Sequence, residues 1–298
     1  MNKSVLLLGN GINNVGKKYS WEELIQDLIR FVGLGNLDEK NKPFPLFYEE
    51  LYLSNLKSNK LDEPKLKEFI SENIKKIEPN DVHQKITSMS FSDIITTNYD
   101  YTIENSLMFT GSELNNNGVI KESVYSVFRH TQVNGTKIWH VHGEINLPKT
   151  ILLGFEHYSG QLQQIRTYVV SGTGKSYKIQ FPALMTQIKK GNVVNNSWLD
   201  LIFTQNIHII GLTLDFVESD LWWLITYRAR KKLEKASKKN RVNIRNNIIY
   251  YYPVKYESLI KQKLEILSAN EVTTFPIDDD PDKKSYYFSI LDRIQDIG

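Results

Sequence analysis

SVLLLGNG, at residues 4–11, joins an uninterrupted apolar run to a glycine turn. Such a run is typical of a strand that is buried on both faces, as in a parallel sheet. A helix is predicted from about Ser20, because Ser20 and Glu23 form a capping box and apolar residues recur at helical spacing as far as Val32. Strand, glycine turn and helix in this order predict the first βα unit of an open sheet.

The same alternation continues along the chain. Further strands are predicted at residues 93–97, 124–128, 137–141, 151–154, 207–210, 247–254 and 272–275. Helices are predicted at residues 100–107, 181–189, 197–204 and 218–236 and at the end of the chain. This order predicts an α/β fold, which we interpret as a Rossmann-like, mainly parallel sheet flanked by helices.

Two long segments interrupt this alternation. Residues 35–90 carry apolar residues at helical spacing, and we interpret them as a helical insertion of three short helices over one edge of the sheet. Residues 156–205 contain several glycines and are interpreted as a second insertion. Residues 111–118 are rich in Asn and Gly, which predicts a surface loop. Since no linker separates these parts, residues 1–298 are predicted to form a single domain.

Composition excludes several classes of site. The chain has 37 Lys and Arg against 34 Asp and Glu, a net charge of +3, which does not by itself indicate a nucleic-acid partner. It has no cysteine, so disulfides, thiolate zinc sites and a cysteine nucleophile are excluded. No apolar segment reaches the length of a membrane span, and we expect a soluble, cytoplasmic protein without a membrane partner.

Two polar groups follow predicted buried strands in the first half of the chain. Gly9, Asn10 and Gly11 form a turn in which the backbone can approach a diphosphate, although a tight turn without a ligand explains them equally well. TTNYD, at residues 96–100, stands at the carboxyl end of a strand, where ligands of open sheets bind. Asn98 or Asp100 as a helix cap is the alternative.

Two more groups follow in the second half. HVHGE, at residues 140–144, places His140 and His142 on one face of a strand, so that with Glu144 they form a candidate metal site. Alternatively, one of the two is a packed or surface histidine, or His142, at a strand end before a glycine, is a general base. GLTL, at residues 211–214, follows another buried strand and either lines a ribose or phosphate or serves as a turn.

In this order the motifs resemble the sirtuin-like NAD-cleaving domains, in particular their zinc-free bacterial branch in anti-phage defence. The resemblance covers about residues 4–230. It is carried by GNGIN at 9–13, SWEEL at 20–24, TTNYD at 96–100 with Glu104, HGEI at 142–145 with Pro148, and GLTL at 211–214 with Asp220.

The resemblance implies an enzyme that takes NAD as its substrate and cleaves the nicotinamide–ribose bond, with no metal. It implies that Asn98 orients a water or a ribose hydroxyl, that Asp100 holds the carboxamide or braces the site, and that His142 acts as a base. The residues that it assigns to NAD binding are Gly9, Asn10, Gly11, Asn13, Thr97, Gly211 and Thr213.

This chain departs from the sirtuin deacetylases in three respects. It lacks the four cysteines of their zinc module. Asn10 and Asn13 replace the usual Ala and Ser of the glycine turn, and VGKKY at residues 15–19 replaces the Pro-x-Phe-Arg stretch of the cofactor loop. The resemblance therefore implies NAD cleavage without protein deacetylation, by an effector that a separate sensor protein or homo-oligomerisation activates.

Three alternatives to NAD cleavage remain open from the sequence. The fold is alternatively a module that binds NAD or ADP-ribose without chemistry, or a metal hydrolase built on His140, His142 and Glu144. A nucleic-acid-associated regulator is the third, because residues 228–245 contain nine Lys or Arg and one acid, Glu234. The plainer interpretation of that segment is the solvated end of a helix.

Overall fold

The computed structural model describes residues 4–15, 21–35, 37–58, 61–107, 115–118, 120, 122–174, 177–234, 242–278 and 282–297. Several predictions fall wholly or partly outside these residues: the Ser20 cap, residues 111–114 of the predicted loop, residues 235–236 of the helix predicted at 218–236, and residues 235–241 of the basic segment. In the described part of the chain, no helix combines the length and hydrophobicity that crossing a membrane requires.

Eight strands form one sheet in the order β3-β4-β5-β2-β1-β6-β7-β8. They are β1 (Ser4–Leu8), β2 (Asp93–Thr96), β3 (Asn115–Gly118), β4 (Arg129–Val133), β5 (Thr136–His140), β6 (Asn206–Ile210), β7 (Ile248–Pro253) and β8 (Val272–Ile277). The six strands from β5 to β8 in this order pair in parallel, whereas β3 and β4 run antiparallel at one edge. Taken alone, the parallel strands have the Rossmann order 3-2-1-4-5-6, which confirms the predicted fold class.

Eleven α-helices lie among the described residues. They are α1 (Trp21–Val32), α2 (Phe44–Lys57), α3 (Glu63–Ile74), α4 (Asp81–Ser88), α5 (Thr102–Leu107), α6 (Phe155–Arg166), α7 (Leu184–Lys190), α8 (Trp198–Thr204), α9 (Ser219–Leu233), α10 (Lys261–Ala269) and α11 (Lys283–Ile297). One face of the sheet packs against α6 to α10, and the other packs against α4, α5 and α11.

The helical segment at residues 35–90 contains three helices, as its periodicity predicts, but they do not form one body. Helices α2 and α3 join α1 in a separate apolar cluster, which rests on Tyr99 and Tyr101 just beyond the end of β2. Helix α4 instead buries Val82 and Ile86 against the sheet. The segment at residues 156–205 supplies α6, α7 and α8, which cover the first face of the sheet.

Three local predictions around residues 111–160 are wrong. Residues 124–128 are not a strand, because the Glu122 carboxylate accepts the backbone N–H groups of Val127, Phe128 and Arg129. The strand β4 follows instead, and residues 115–118 pair with it as β3 although their sequence predicts a loop.

The third error concerns residues 151–160. Residues 151–154 are not a strand, and α6 begins directly after them. Gly160 lies inside this helix, where its missing side chain makes room for the ring of Tyr125. A Cβ there would meet the Tyr125 hydroxyl at 1.9 Å.

Two turns beside the sheet require glycine for different reasons. Asn134 and Gly135, with φ of 49° and 85°, close the β4–β5 hairpin, and a Cβ on Gly135 would have no atom within 4 Å. Gly143, with φ of 101°, follows His142 after β5, and a Cβ there would lie 2.2 Å from the carbonyl oxygen of Thr150. The second turn therefore excludes a side chain by both conformation and contact.

We predict that Gly143→Ala lowers the free energy of unfolding by at least about 2 kcal/mol, because strain and a backbone clash add. The matched change Gly135→Ala adds only conformational strain and should cost about 1 kcal/mol. Urea denaturation of both variants measures the difference, and equal losses would contradict the role of the Thr150 contact.

Candidate active site

The turns after β1 and β6 are bonded to each other at the point where the strand order reverses. Gly9 N–H donates to the Ile210 carbonyl at 2.9 Å, and Gly11 N–H donates to the Gly211 carbonyl at 2.7 Å. A Cβ on Gly9 would lie 2.5 Å from the Cα of Leu212, so the glycine allows the two turns to touch. Since both amides are used within the protein, neither is free to bind a phosphate.

A cavity of about 740 Å³ opens at this edge of the sheet, a volume suited to an organic ligand of dinucleotide size. Its polar wall comes from the turns after β1, β2, β5 and β6. Its apolar wall comes from α1 to α3, through residues such as Leu24, Phe44 and Ile74, and a row of tyrosines on β7 and α11 forms the remaining side.

Most of the sequence-predicted residues meet in this cavity. Its walls include Asn10, Gly11, Thr97, Asn98, Asp100, His142, Gly211 and Thr213. Gly9 and Asn13 stand behind the wall, where Gly9 fixes the neighbouring turn and Asn13 is almost fully buried. The Thr213 carbonyl accepts hydrogen bonds from Lys263 Nζ at 3.0 Å and Tyr250 OH at 3.3 Å, which tie this turn to β7 and α10.

Asp100 is fully engaged with the protein. Its Oδ2 accepts from Asn13 Nδ2 at 2.7 Å, and its Oδ1 accepts from the amide and hydroxyl of Thr102 at 3.0 and 2.6 Å. These bonds cap α5 and join it to the first glycine turn. Of the two roles that the resemblance leaves open for Asp100, this geometry favours bracing the site over holding a carboxamide.

His83 on α4 belongs to the same network, and sequence reasoning missed it. Its Nδ1 accepts the Asn80 amide at 3.0 Å, so Nε2 carries the proton and donates to Asn13 Oδ1 at 3.0 Å. Burial, opposed by the charge of Asp100, holds the pKa of His83 below its usual value, which keeps the ring neutral. His83 thereby fixes which end of the Asn13 amide faces Asp100.

Asn98 has little to hold its side chain within the described residues. Its Nδ2 lies 3.4 Å from the Gly9 carbonyl, at the limit of a hydrogen bond. Its main chain, by contrast, is fixed at both ends, since its N–H donates to Thr96 Oγ1 and its carbonyl lies 2.8 Å from His140 Nδ1. The amide is thus available to a ligand while its backbone is held.

His142 forms a buried pair with Asp220, the second residue of α9. Nε2 of His142 lies 3.0 Å from Asp220 Oδ2, so the neutral ring carries its proton on Nε2 and has a lone pair on Nδ1. Burial has the largest effect and lowers the pKa of His142, but the charges of Asp220 and Glu218 outweigh it and leave that pKa raised. Asp220 was part of the family resemblance but was not predicted as a site residue.

Glu218 is a second group that sequence reasoning did not identify. It precedes α9, lines the cavity and accepts the Asp215 amide at 2.8 Å. Burial raises its pKa to about 7, against the opposing charge of His142 and with the support of Asp220. The signal was faint in the sequence, because ESD at residues 218–220 looks like an ordinary helix start.

The side chains proposed for a metal site do not converge. His140 lies against Glu104, His142 against Asp220, and Glu144 against Arg129 at 2.7 Å. No group of three metal-ligating side chains occurs among the described residues.

The described part of the basic segment is largely paired. Arg228 is buried and bonded to Asn246, Lys231 pairs with Glu234, and Lys232 pairs with Glu271. Nothing in this part of the segment favours a nucleic-acid surface.

We predict that Asp220→Asn lowers any turnover at this site by about 10²–10⁴-fold while the protein stays folded. An Asn amide donates to Nε2, which moves the histidine proton to Nδ1 and removes the lone pair that faces away from Asp220. Steady-state rates and thermal unfolding of the variant test this. Unchanged kcat would show that the tautomer of His142 does not matter.

The comparisons with known proteins bear on part of this site. Residues 92–187 match the family model of a SIR2-like domain, about a third of the chain. No curated protein matches the chain. The matched residues include Asn98, Asp100 and His142, but not the glycine turn of β1, the turn after β6, or Asp220. The match therefore supports a sirtuin-like family for the segment that carries the predicted catalytic residues.

Proposed function

We propose that this protein is an NAD glycohydrolase that converts NAD and water into nicotinamide, ADP-ribose and a proton. The observation that carries the proposal is that Asn98 and His142, which pairs with the buried Asp220, line one cavity at the topological switch point of a Rossmann-like sheet. The SIR2-like match over residues 92–187 supports NAD as the ligand.

The reaction breaks the bond between the ribose C1′ and the pyridinium nitrogen, which keeps the electron pair and leaves as neutral nicotinamide. The oxygen of a water molecule forms the new bond to C1′. Asn98 orients that water or a ribose hydroxyl through its side-chain amide, and Nδ1 of His142 accepts the released proton. Asp220 stabilises the imidazolium that results.

The rest of the cavity is assigned to holding NAD. Asn10, Thr97 and the turn at Gly211 and Thr213 supply polar contacts, because the amides of Gly9 and Gly11 are occupied. The apolar wall from α1 to α3 excludes bulk water from the reacting end. Gly9 and Asn13 act indirectly, by setting the shape of the wall.

We further propose that the protein depletes NAD as an effector of bacterial anti-phage defence, as the resemblance implies, and that a sensor protein or self-association activates it. Phage plaque counts and cellular NAD levels in bacteria that express the wild type or His142→Ala test this role. Protection that persists in the variant would separate defence from catalysis.

We predict that Asn98→Ala and His142→Ala each lower nicotinamide release from NAD by about 10²–10⁴-fold without unfolding the protein. Chromatographic separation of nicotinamide, ADP-ribose and cyclic products measures the reaction. His130→Ala is the matched control, because this buried histidine packs on Trp139 and lies outside the cavity wall.

The same experiment distinguishes the main alternative. Wild-type protein that binds NAD, with and without candidate activators, but releases no nicotinamide would be a binding module. Wild-type turnover that survives both substitutions would remove Asn98 and His142 from the mechanism.

A second prediction concerns pH. Ionised Glu218 raises the pKa of His142, and the base form of His142 is lost as pH falls through that pKa. Glu218→Gln keeps the bond to the Asp215 amide but removes the charge, so the acid limb of the pH–rate profile should move to lower pH by up to about one unit. Glu265→Gln, an exposed change on α10, should leave the profile in place. An unmoved acid limb in Glu218→Gln would contradict the coupling.

A further inference from the structure

His140 occupies an unusual position for a histidine, at the end of β5 and almost fully buried. Its Nδ1 lies 2.8 Å from the carbonyl oxygen of Asn98, and its Nε2 lies 2.7 Å from Oε1 of Glu104. A carbonyl and a carboxylate only accept hydrogen bonds. Both ring nitrogens must therefore carry hydrogen, which makes the ring a positively charged imidazolium.

The surroundings of His140 agree with this charge. Burial lowers its pKa and is the largest effect, but Glu104, Glu144 and the Asn98 carbonyl together raise the pKa to about 9. The neighbouring cation, Arg129, is paired with Glu144, which also accepts the hydroxyl of Tyr101. The ring of Tyr101 packs against His140 at 5.3 Å.

The contact matters because Asn98 stands in the short turn between β2 and α5. A charged donor holds a carbonyl more firmly than a neutral one does. The peptide plane that joins Asn98 to Tyr99 is therefore fixed from below the cavity. Among the described residues, the side-chain amide of Asn98 above it has only the 3.4 Å contact with the Gly9 carbonyl. Glu104 in turn is held by Thr131 Oγ1 at 2.6 Å, so the chain of bonds ends on β4.

We propose that His140 is a positioning residue, a buried imidazolium that holds the main chain of Asn98 so that its amide points into the cavity. The proposal rests on the proposed function, in which Asn98 acts on NAD. It gives a role to a histidine for which the sequence suggested a metal site or simple packing.

Two substitutions separate the two bonds of His140. The amide nitrogen of His140→Asn replaces Nδ1 and still reaches the Asn98 carbonyl, whereas that of His140→Gln replaces Nε2 and reaches only residue 104. Both are made together with Glu104→Gln, so that no unpaired carboxylate is left buried. Glu104→Gln alone is the reference, and thermal unfolding checks that all three are folded to the same extent.

With NAD as substrate, His140→Gln should lower kcat by about 10- to 100-fold relative to the reference with little change in KM, because Asn98 is displaced and not removed. His140→Asn should restore most of that loss. Equal kcat in the two variants would overturn the positioning role.

Two readouts do not depend on catalysis. In protein labelled with ¹⁵N in its six histidines, one buried ring should show two N–H signals at pH 7, and both should vanish in His140→Asn. A single N–H signal for this ring would show that it is not an imidazolium and would overturn the proposal.

The backbone amide of Tyr99 lies in the same peptide plane as the Asn98 carbonyl. Its NMR signal should therefore move in His140→Gln and stay near the reference in His140→Asn. If wild-type protein gives these spectra but leaves NAD intact, the proposed function is refuted. The positioning of Asn98 by His140 would still hold in that case.

Discussion

The two hydrogen bonds between the glycine turns of β1 and β6 are the constraint on which the site depends. They join strands from opposite halves of the sheet at the place where the connections leave in opposite directions. Because the helices diverge there, the chain cannot fill the space above the turns, and a cavity remains. Glycine is required in these turns because the two backbones touch. This differs from the usual explanation, in which glycine lets the backbone approach a bound diphosphate.

Behind the cavity, the polar side chains are fixed by buried pairs and not by exposed ones. His142 rests on Asp220, Asp100 on Asn13 and Thr102, and the carbonyl of Asn98 on His140. Buried charges are costly unless they are paired, so each pair allows essentially one arrangement of its members. These pairs make the site rigid. The positions of the side chains that face the cavity therefore depend on the residues behind the wall.

Most strands of the sheet could be predicted from the sequence, because a buried strand is marked by a local run of apolar residues. The runs at β1, β2 and β6 are apolar and end in glycine or polar residues, and such strands are buried wherever they fall in the order. The errors around residues 115–160 arise where a distant side chain decides the structure. Glu122 takes the amides of residues 127–129, and Tyr125 occupies the space that Gly160 leaves open. Neither contact has a periodic pattern that a sequence could display.

The same reasoning applies to the site. Asn98, Asp100 and His142 stand at strand ends, where position alone suggests chemistry, and the cavity contains all three. His83, Glu218 and His140 act through contacts that become visible only in three dimensions. The alternation of HVH at residues 140–142 suggested that His140 and His142 share a ligand, but β5 ends at His140 and the turn at Gly143 directs His142 elsewhere. One histidine therefore faces the cavity, while the other lies against the Asn98 carbonyl beneath it. The two proposed roles call for opposite charge states, because a base must be neutral and a cation donates the stronger hydrogen bond to a carbonyl.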